Sequence, residues 1–150
     1  MNYNMFKIKD NNKYEIDLKI TDNILNIFIF GKPKKTDFIY KILNKYFEDK
    51  TSLKYNLEKL DFKFTRFQFD VYKNLLDVPF GKTVSYKELA EKSGNIKCYR
   101  AIGSAMRINP FPILIPCHRV IKLDMTIGGY SCGIEIKKLL LNFEKMVNPQ

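Results

Sequence analysis

The chain has 150 residues, of which 45% are hydrophobic and 14% aromatic, enough to bury a core and too much for a disordered segment. No apolar stretch approaches the length of a bilayer span, and Met1 to Asp10 lacks the apolar run of a secretory signal, so a cytoplasmic protein with no membrane partner is expected. Net charge is +10, with +7 of it on residues 63–150; the imbalance suits a polyanion, most simply nucleic acid, although a lysine-rich solvated surface gives the same count.

In chain order, Met5 to Lys9 is expected to form a short strand. Tyr14 to Ile20 alternates apolar and charged residues, the pattern of a strand with one wet face. Ile24 to Phe30 is more continuously apolar, and Thr21-Asp22-Asn23 between the two is turn chemistry, so they read as a hairpin. After Gly31 and Pro33, Thr36 is placed to cap a helix in which the pairs Phe38/Ile39, Ile42/Leu43 and Tyr46/Phe47 make one apolar stripe. Residues 1–62 thus read as a small sheet with a helix packed on it. They contain no constellation of catalytic type, and the reading is scaffold.

From Phe62 the periodicity turns helical. Thr65 caps a segment whose Phe69, Tyr72 and Leu76 align with Val71 and Leu75, ended by Val78-Pro79-Phe80-Gly81. Ser85-Tyr86-Lys87-Glu88 is a capping box, and the helix it opens stops at Gly94. Lys97 to Arg107 reads as the next helix, ended by Asn109-Pro110. Two short helices about a tight turn form a helix-turn-helix, a signal that many helical hairpins also give without meeting DNA. In the second helix Ala101, Gly103, Ser104 and Ala105 make a nearly bare face between Arg100 and Arg107. Gly103 costs about 1 kcal/mol of helix propensity relative to Ala. Close approach of the helix to a bulky surface offsets that, and so does tight packing inside the domain.

Three cysteines, Cys98, Cys117 and Cys132, with one histidine in the chain, support neither a disulfide framework nor a zinc site; free thiols in a reducing compartment are expected. Cys117 is followed by that histidine, His118, then by Arg119, and prolines stand at 110, 112 and 116. A thiol near pKa 8.5 is mostly protonated at neutral pH, so an imidazole able to take its proton makes a nucleophile of it.

The segment Asn109-Pro110-Phe111-Pro112-Ile113-Leu114-Ile115-Pro116-Cys117-His118-Arg119-Val120 resembles the active-site signature of the O6-alkylguanine-DNA alkyltransferases. The resemblance extends in order and spacing over Val78-Pro79-Phe80-Gly81, Val84-Ser85-Tyr86, Leu89-Ala90, Gly94-Asn95, Arg100 to Arg107, Gly129-Tyr130-Ser131 and Glu144, covering residues 65 to 144. It implies an α+β fold: an N-terminal ribonuclease-H-like α/β domain over 1–62, then a winged helix-turn-helix domain over 63–150 carrying the nucleophile. It also implies a suicidal repair protein that moves an alkyl group from O6-alkylguanine in double-stranded DNA to Cys117 after base flipping through the minor groove. No cofactor and no metal are implied, and the expected state is a monomer.

Carried over by residue, the resemblance makes Cys117 the alkyl acceptor, His118 its base through a water, and Glu144 the group orienting His118. Asn109 ties the active-site turn to the recognition helix. Tyr86 contacts the flipped base and assists proton delivery as guanine leaves; the backbone at Cys117 and Val120 reads the guanine edge, and Ser131 reaches towards O6. Arg100 fills the gap in the base stack, and Tyr86, Asn95, Ser104 and Arg107 complete the DNA-contacting set. Two positions depart from the pattern: Ile96 stands where proline is common, and Tyr99 where a small residue is usual.

Overall fold

The structure is a computed structural model and describes residues 2–8, 14–21, 24–30, 37–60, 62–94 and 96–147. The alternating segment forms β2 (Tyr14–Thr21), flanked antiparallel by β1 (Asn2–Ile8) and β3 (Ile24–Phe30) in the order β1-β2-β3. The first strand starts earlier than its apolar residues suggest, at Asn2. Its pairing with β2 shifts register between Asn4 and Phe6. The turn residues Asp22 and Asn23 and the cap Thr36 lie outside the described residues.

Helix α1 (Asp37–Asn44) runs on into one π-helical turn, Lys45–Asp49. Leu43 and Tyr46 are buried, with Phe38, Ile42 and Phe47 packed against them. These residues share one interior with the second half: Leu53, Leu57, Leu60, Val71, Leu75, Leu89, Ile102, Ile113 and Leu140 belong to the same cluster. Packing is therefore continuous across residue 62.

Two capping boxes place the helices that frame the site. Thr65 and Gln68 start α2 (Arg66–Leu76), and Ser85 and Glu88 start α3 (Tyr86–Lys92), each pair satisfying the other's backbone N–H. Ser85 also ends β4 (Val84–Ser85), which pairs in parallel with β5 (Val120–Ile121). The strand end and the helix start thus hold Tyr86, the first residue of α3, beside the segment that precedes β5. Gly94, at φ +89°, adopts the left-handed conformation that ends α3.

The next helix begins later than its composition suggests. Ile96–Cys98 is a 3-10 turn, and α4 runs Tyr99–Arg107. Cys98 supplies no side-chain cap, and a tightened turn at a helix start is the usual alternative. Ile102, Ala105 and Met106 face the core while Arg100, Ala101, Ser104 and Arg107 face out, so Ala105 belongs to the packed side and not to the bare face. A Cβ added at Gly103 would meet nothing within 4 Å, so interior packing does not require glycine there. The last helix, α5 (Ile134–Val147), carries Glu144 back to the centre. No helix of the described residues is long and apolar enough to cross a membrane.

Because the Ser85 cap holds both β4 and α3, Ser85→Ala is expected to cost about 1 kcal/mol. The loss should be read as a lower urea midpoint with an unchanged denaturant slope; an unchanged midpoint would show the cap to be dispensable.

Candidate active site

Residues 111–120 are all buried, although they are a loop and a single turn. Buried backbone needs partners, and the segment finds them locally. Pro112 and Pro116 bring no N–H. Asn109 Oδ1 accepts from the Phe111 N–H (3.0 Å), while its Nδ2 donates to the Ile115 carbonyl (2.9 Å) and to Cys117 Sγ (3.0 Å). Ile115 N–H donates to the Phe111 carbonyl (2.8 Å), and Tyr55 Oη donates to the Leu114 carbonyl (2.7 Å). Ile113 sits at φ +70°, a strained conformation for a β-branched residue. Cys117 then opens a 3-10 turn, Cys117–Arg119, that leads into β5.

A cavity of about 330 Å³ brings Cys117 together with Tyr86, Arg107 and Ser131, and Gly103, Met106, Gly129 and Tyr130 complete its wall. Gly103, whose cost in helix propensity the core does not explain, thus faces the space above the sulfur. Cys117 is 2% exposed, and burial pushes its thiol up to about 11 despite the opposing hydrogen bond from Asn109. At rest the sulfur is a protonated thiol.

Behind the turn, His118 and Glu144 meet. His118 Nε2 lies 2.6 Å from Glu144 Oε1, and both side chains are buried. Burial, the largest influence, holds the imidazole below its ordinary value, so it is neutral. Burial alone would raise the Glu144 carboxyl. The hydrogen bond from His118 and the charge that ring carries when protonated, then the charge and hydrogen bonds of Arg119, outweigh it and hold the group at about 2. For this coupled pair the ionised carboxylate follows from Arg119, whose charge does not depend on pH. A neutral imidazole facing a carboxylate carries its proton on Nε2. Nδ1 is then the free base; it is buried, with no hydrogen-bond partner among the described residues.

Several members of this cluster escaped the sequence reading. Arg119 Nε and Nη2 donate to both oxygens of Glu144 at 3.0–3.1 Å, and Nη1 donates to the Val78 carbonyl (2.8 Å). Gly81 N–H donates to Glu144 Oε2 (2.8 Å). Tyr46 Oη donates to Glu144 Oε1 (2.7 Å) and lies 3.4 Å from His118 Nε2. Residues 1–62, read as scaffold, therefore contribute a side chain to the cluster. Lys137, also buried, donates to the carbonyls of Val120 (2.6 Å) and Gly129 (3.2 Å), and burial brings its ammonium down to about 8. A charged neighbour of Cys-His made Arg119 findable; nothing near Tyr46 in sequence pointed 98 residues ahead to Glu144.

Val120, Arg100 and Ser104 do not line the cavity at the sulfur. Val120 is fully buried, with its carbonyl held by Lys137. Arg100 and Ser104 are exposed on α4, the Arg100 guanidinium lying 5.9 Å from the Tyr99 ring centre. Asn95 lies outside the described residues.

Residues 66–146 match the DNA-binding domain of 6-O-methylguanine DNA methyltransferase. The chain is 44% identical over 103 residues to a probable methylated-DNA–protein-cysteine methyltransferase of Acanthamoeba polyphaga mimivirus, spanning 69% of this chain and 68% of that protein. It is 43% identical over 107 residues to the methylated-DNA–protein-cysteine methyltransferase of Methanosarcina barkeri, spanning 69% of this chain and 64% of that one. Among solved structures, Mycobacterium tuberculosis OGT in complex with DNA matches with a TM-score of 0.67 at 31% identity, covering 99% of this chain and 94% of the other. The mixed fold of helices and small sheets is the one seen in that structure.

The buried carboxylate makes stability depend on pH. Because the folded Glu144 carboxyl is held at about 2, below its ordinary 4.5, its contribution is complete above the ordinary value and is lost as pH falls towards 2. Glu144→Gln is expected to cost about 3–5 kcal/mol at pH 7, since Arg119 is left buried without a counter-charge. Urea denaturation across pH 2 to 7 should show the variant losing less than the parent on acidification; parallel curves would refute this account.

Proposed function

The chain belongs to the 6-O-methylguanine DNA methyltransferase family, and on that premise we propose that it repairs O6-alkylguanine in double-stranded DNA by moving the alkyl group to Cys117. The observation that carries the reading is the buried Cys117 at a cavity wall, next in sequence to a neutral, carboxylate-paired His118.

A base stacked in a duplex cannot bring its O6 substituent to a buried sulfur, so the guanine is flipped into the cavity at a cost of a few kcal/mol. Helix α4 presents Ala101 and Ser104 to the minor groove, where contacts carry little sequence information, as damage repair requires. Arg100 enters the vacated stack, and Arg107 and Asn95 grip the strand. The N-terminal 62 residues act as a ribonuclease-H-like domain and residues 63–150 as a winged helix-turn-helix, with the Lys122–Thr126 turn as the wing tip.

The thiol proton passes through one water to His118 Nδ1, and Glu144 steadies the resulting imidazolium. Asn109 Nδ2, 3.0 Å from Sγ, stabilises the thiolate. Sulfur attacks the alkyl carbon: the S–C bond forms, the C–O6 bond breaks, and the departing guanine takes a proton with help from Tyr86. Ser131 and the backbone at Cys117 and Val120 hold the guanine edge. The product thioether has no good leaving group, so each molecule acts once, as a monomer and without a cofactor.

Product should accordingly plateau at one guanine per protein, with the added mass on Cys117 and none on Cys98 or Cys132. Sustained turnover, or label on another cysteine, would sink the reading. Arg100→Ala should slow repair in duplex DNA far more than reaction with free O6-benzylguanine, which needs no flipping; equal slowing on both substrates would remove Arg100 from the flipping step.

A further inference from the structure

The cluster behind Cys117 contains one group that the alkyl-transfer chemistry leaves unused. Tyr46 is fully buried, and its ring packs edge-on against Phe47 and His118. Its hydroxyl donates at 2.7 Å to Glu144 Oε1, the oxygen that also receives His118 Nε2 at 2.6 Å. The residue rides on the π-helical turn Lys45–Asp49. Such turns are rare and gather at functional sites, because they re-aim a side chain at a cost in helix geometry.

Positioning alone does not account for the contact. Arg119 already grips both carboxylate oxygens and Gly81 N–H fixes Oε2, so the rotamer of Glu144 is set without the phenol. What the phenol adds is competition for Oε1. A carboxylate oxygen that shares its electron density with a second donor is a weaker partner for the imidazole N–H. It therefore stabilises the imidazolium less when His118 takes the thiol proton.

We propose that Tyr46 is a positioning residue that restrains Cys117: by donating to Glu144 Oε1 it weakens the pull of the relay and keeps the thiol protonated until substrate is seated. The inference rests on the alkyl-transfer reading for its biological sense. A nucleophile usable once is wasted by any stray electrophile, so a resting thiol held back from ionisation has value to it. The path from Tyr46 through Glu144 to His118 stands on the hydrogen bonds themselves, and its last step to Cys117 is the water-bridged one proposed above, from the buried His118 Nδ1 that no described group engages.

Other groups face the same cluster. Arg119 bears on the carboxylate and Lys137 of α5 on both His118 and Cys117, while Tyr72 of α2, Tyr86 of α3, Tyr130 and Cys132 surround the thiol. Arg119 keeps its charge at every working pH. Lys137 titrates near the range of interest, but its ammonium is bonded to the Val120 and Gly129 carbonyls and not to Glu144, so its contribution is common to parent and variant. Among the described side chains, Tyr46 alone places a neutral O–H on the oxygen shared with His118.

The test is the pH dependence of Cys117 alkylation by iodoacetamide, followed by mass spectrometry so that Cys98 and Cys132 are scored separately. Tyr46→Phe keeps the ring and removes the hydroxyl. Its apparent thiol pKa should fall by about half a unit to one unit. Below the inflection, alkylation should be about two- to fourfold faster than in the parent, the lower nucleophilicity of a more acidic thiol offsetting part of the gain. In a His118→Ala background the same substitution should move nothing, because the path from Glu144 to sulfur is cut. A Tyr46→Phe profile that superimposes on the parent's, or a shift that persists without His118, overturns the proposal; a merely structural role would lower the rate at all pH values without moving the inflection.

Should Tyr46→Phe fail to fold, 3-fluorotyrosine at position 46 provides the opposite perturbation. A more acidic phenol is a stronger donor, so the inflection should rise, and an unmoved inflection overturns the idea. The chain has a single histidine, so its ring nitrogens are assigned in NMR spectra without ambiguity. The imidazole pKa should move up in Tyr46→Phe and down with fluorotyrosine. Iodoacetamide needs no DNA, so these outcomes are independent of whether alkylguanine is the substrate: absence of transfer from O6-alkylguanine to the parent protein would defeat the proposed function and leave the Tyr46 result standing.

Discussion

A carboxylate taken out of water costs several kcal/mol unless its lone pairs are matched, and Glu144, at 1% exposure, is matched on all sides. The donors come from three separate stretches of chain, Tyr46 from the π turn after α1, Gly81 from the loop after α2, and His118 and Arg119 from the 3-10 turn, while Glu144 itself is on α5. Arg119 spends its remaining nitrogen on the Val78 carbonyl. The carboxylate thus ties the last helix to both halves of the chain, through Tyr46 on one side and Gly81, His118 and Arg119 on the other, and it fixes the one face of His118 on which the proton must sit. Replacing the pair by apolar side chains would preserve a core but release the imidazole. The charge is retained here for what it orients.

The second constraint is a buried loop. Loops usually run over the surface because water is the easiest partner for unpaired backbone. Residues 111–120 run through the interior, made possible by prolines that bring no N–H and by Asn109, whose amide serves three partners at once. The same amide that satisfies the Ile115 carbonyl also reaches Cys117 Sγ, so the loop's folding and the sulfur's setting are one hydrogen-bond problem. Ile113 in the left-handed region shows that the path is strained, and the surrounding core, buried on every side of it, holds the strain in place.

How much of this was legible in the sequence follows from the range of each interaction. Capping boxes act over three residues, and Thr65 with Gln68 and Ser85 with Glu88 could be read directly. Strand alternation in Tyr14–Ile20 is equally local. The Cys117-His118-Arg119 run with its flanking prolines announced a site, but not that Arg119 turns inward to Glu144. Ala101, Gly103, Ser104 and Ala105 looked alike as small residues; only the phase of α4 against the core separates Ala105 from the others. Tyr46 had a sufficient local explanation as part of an apolar stripe. Its hydroxyl finds a partner only through a π turn and a tertiary contact, neither of which leaves a mark in a window of a few residues.

The burial of Cys117 then bears on how the site works. Desolvation raises the thiol to about 11, which for a turnover enzyme would be a handicap. For the single-use nucleophile proposed here it is protection, since the thiolate is also the species that reacts with oxidants and stray alkylating agents. Protection and reactivity are reconciled if ionisation depends on occupancy. In the reaction proposed here a guanine filling the cavity would bring the alkyl carbon to the sulfur, with the Asn109 hydrogen bond already in place and His118 as the proposed proton acceptor. The cluster behind the turn is buried and its hydrogen bonds are already formed, so it needs little rearrangement when charge develops on sulfur. What remains to be provided is the electrophile, and on this geometry only a group small enough to enter a cavity of about 330 Å³ beside Tyr86 and Ser131 is placed to provide it.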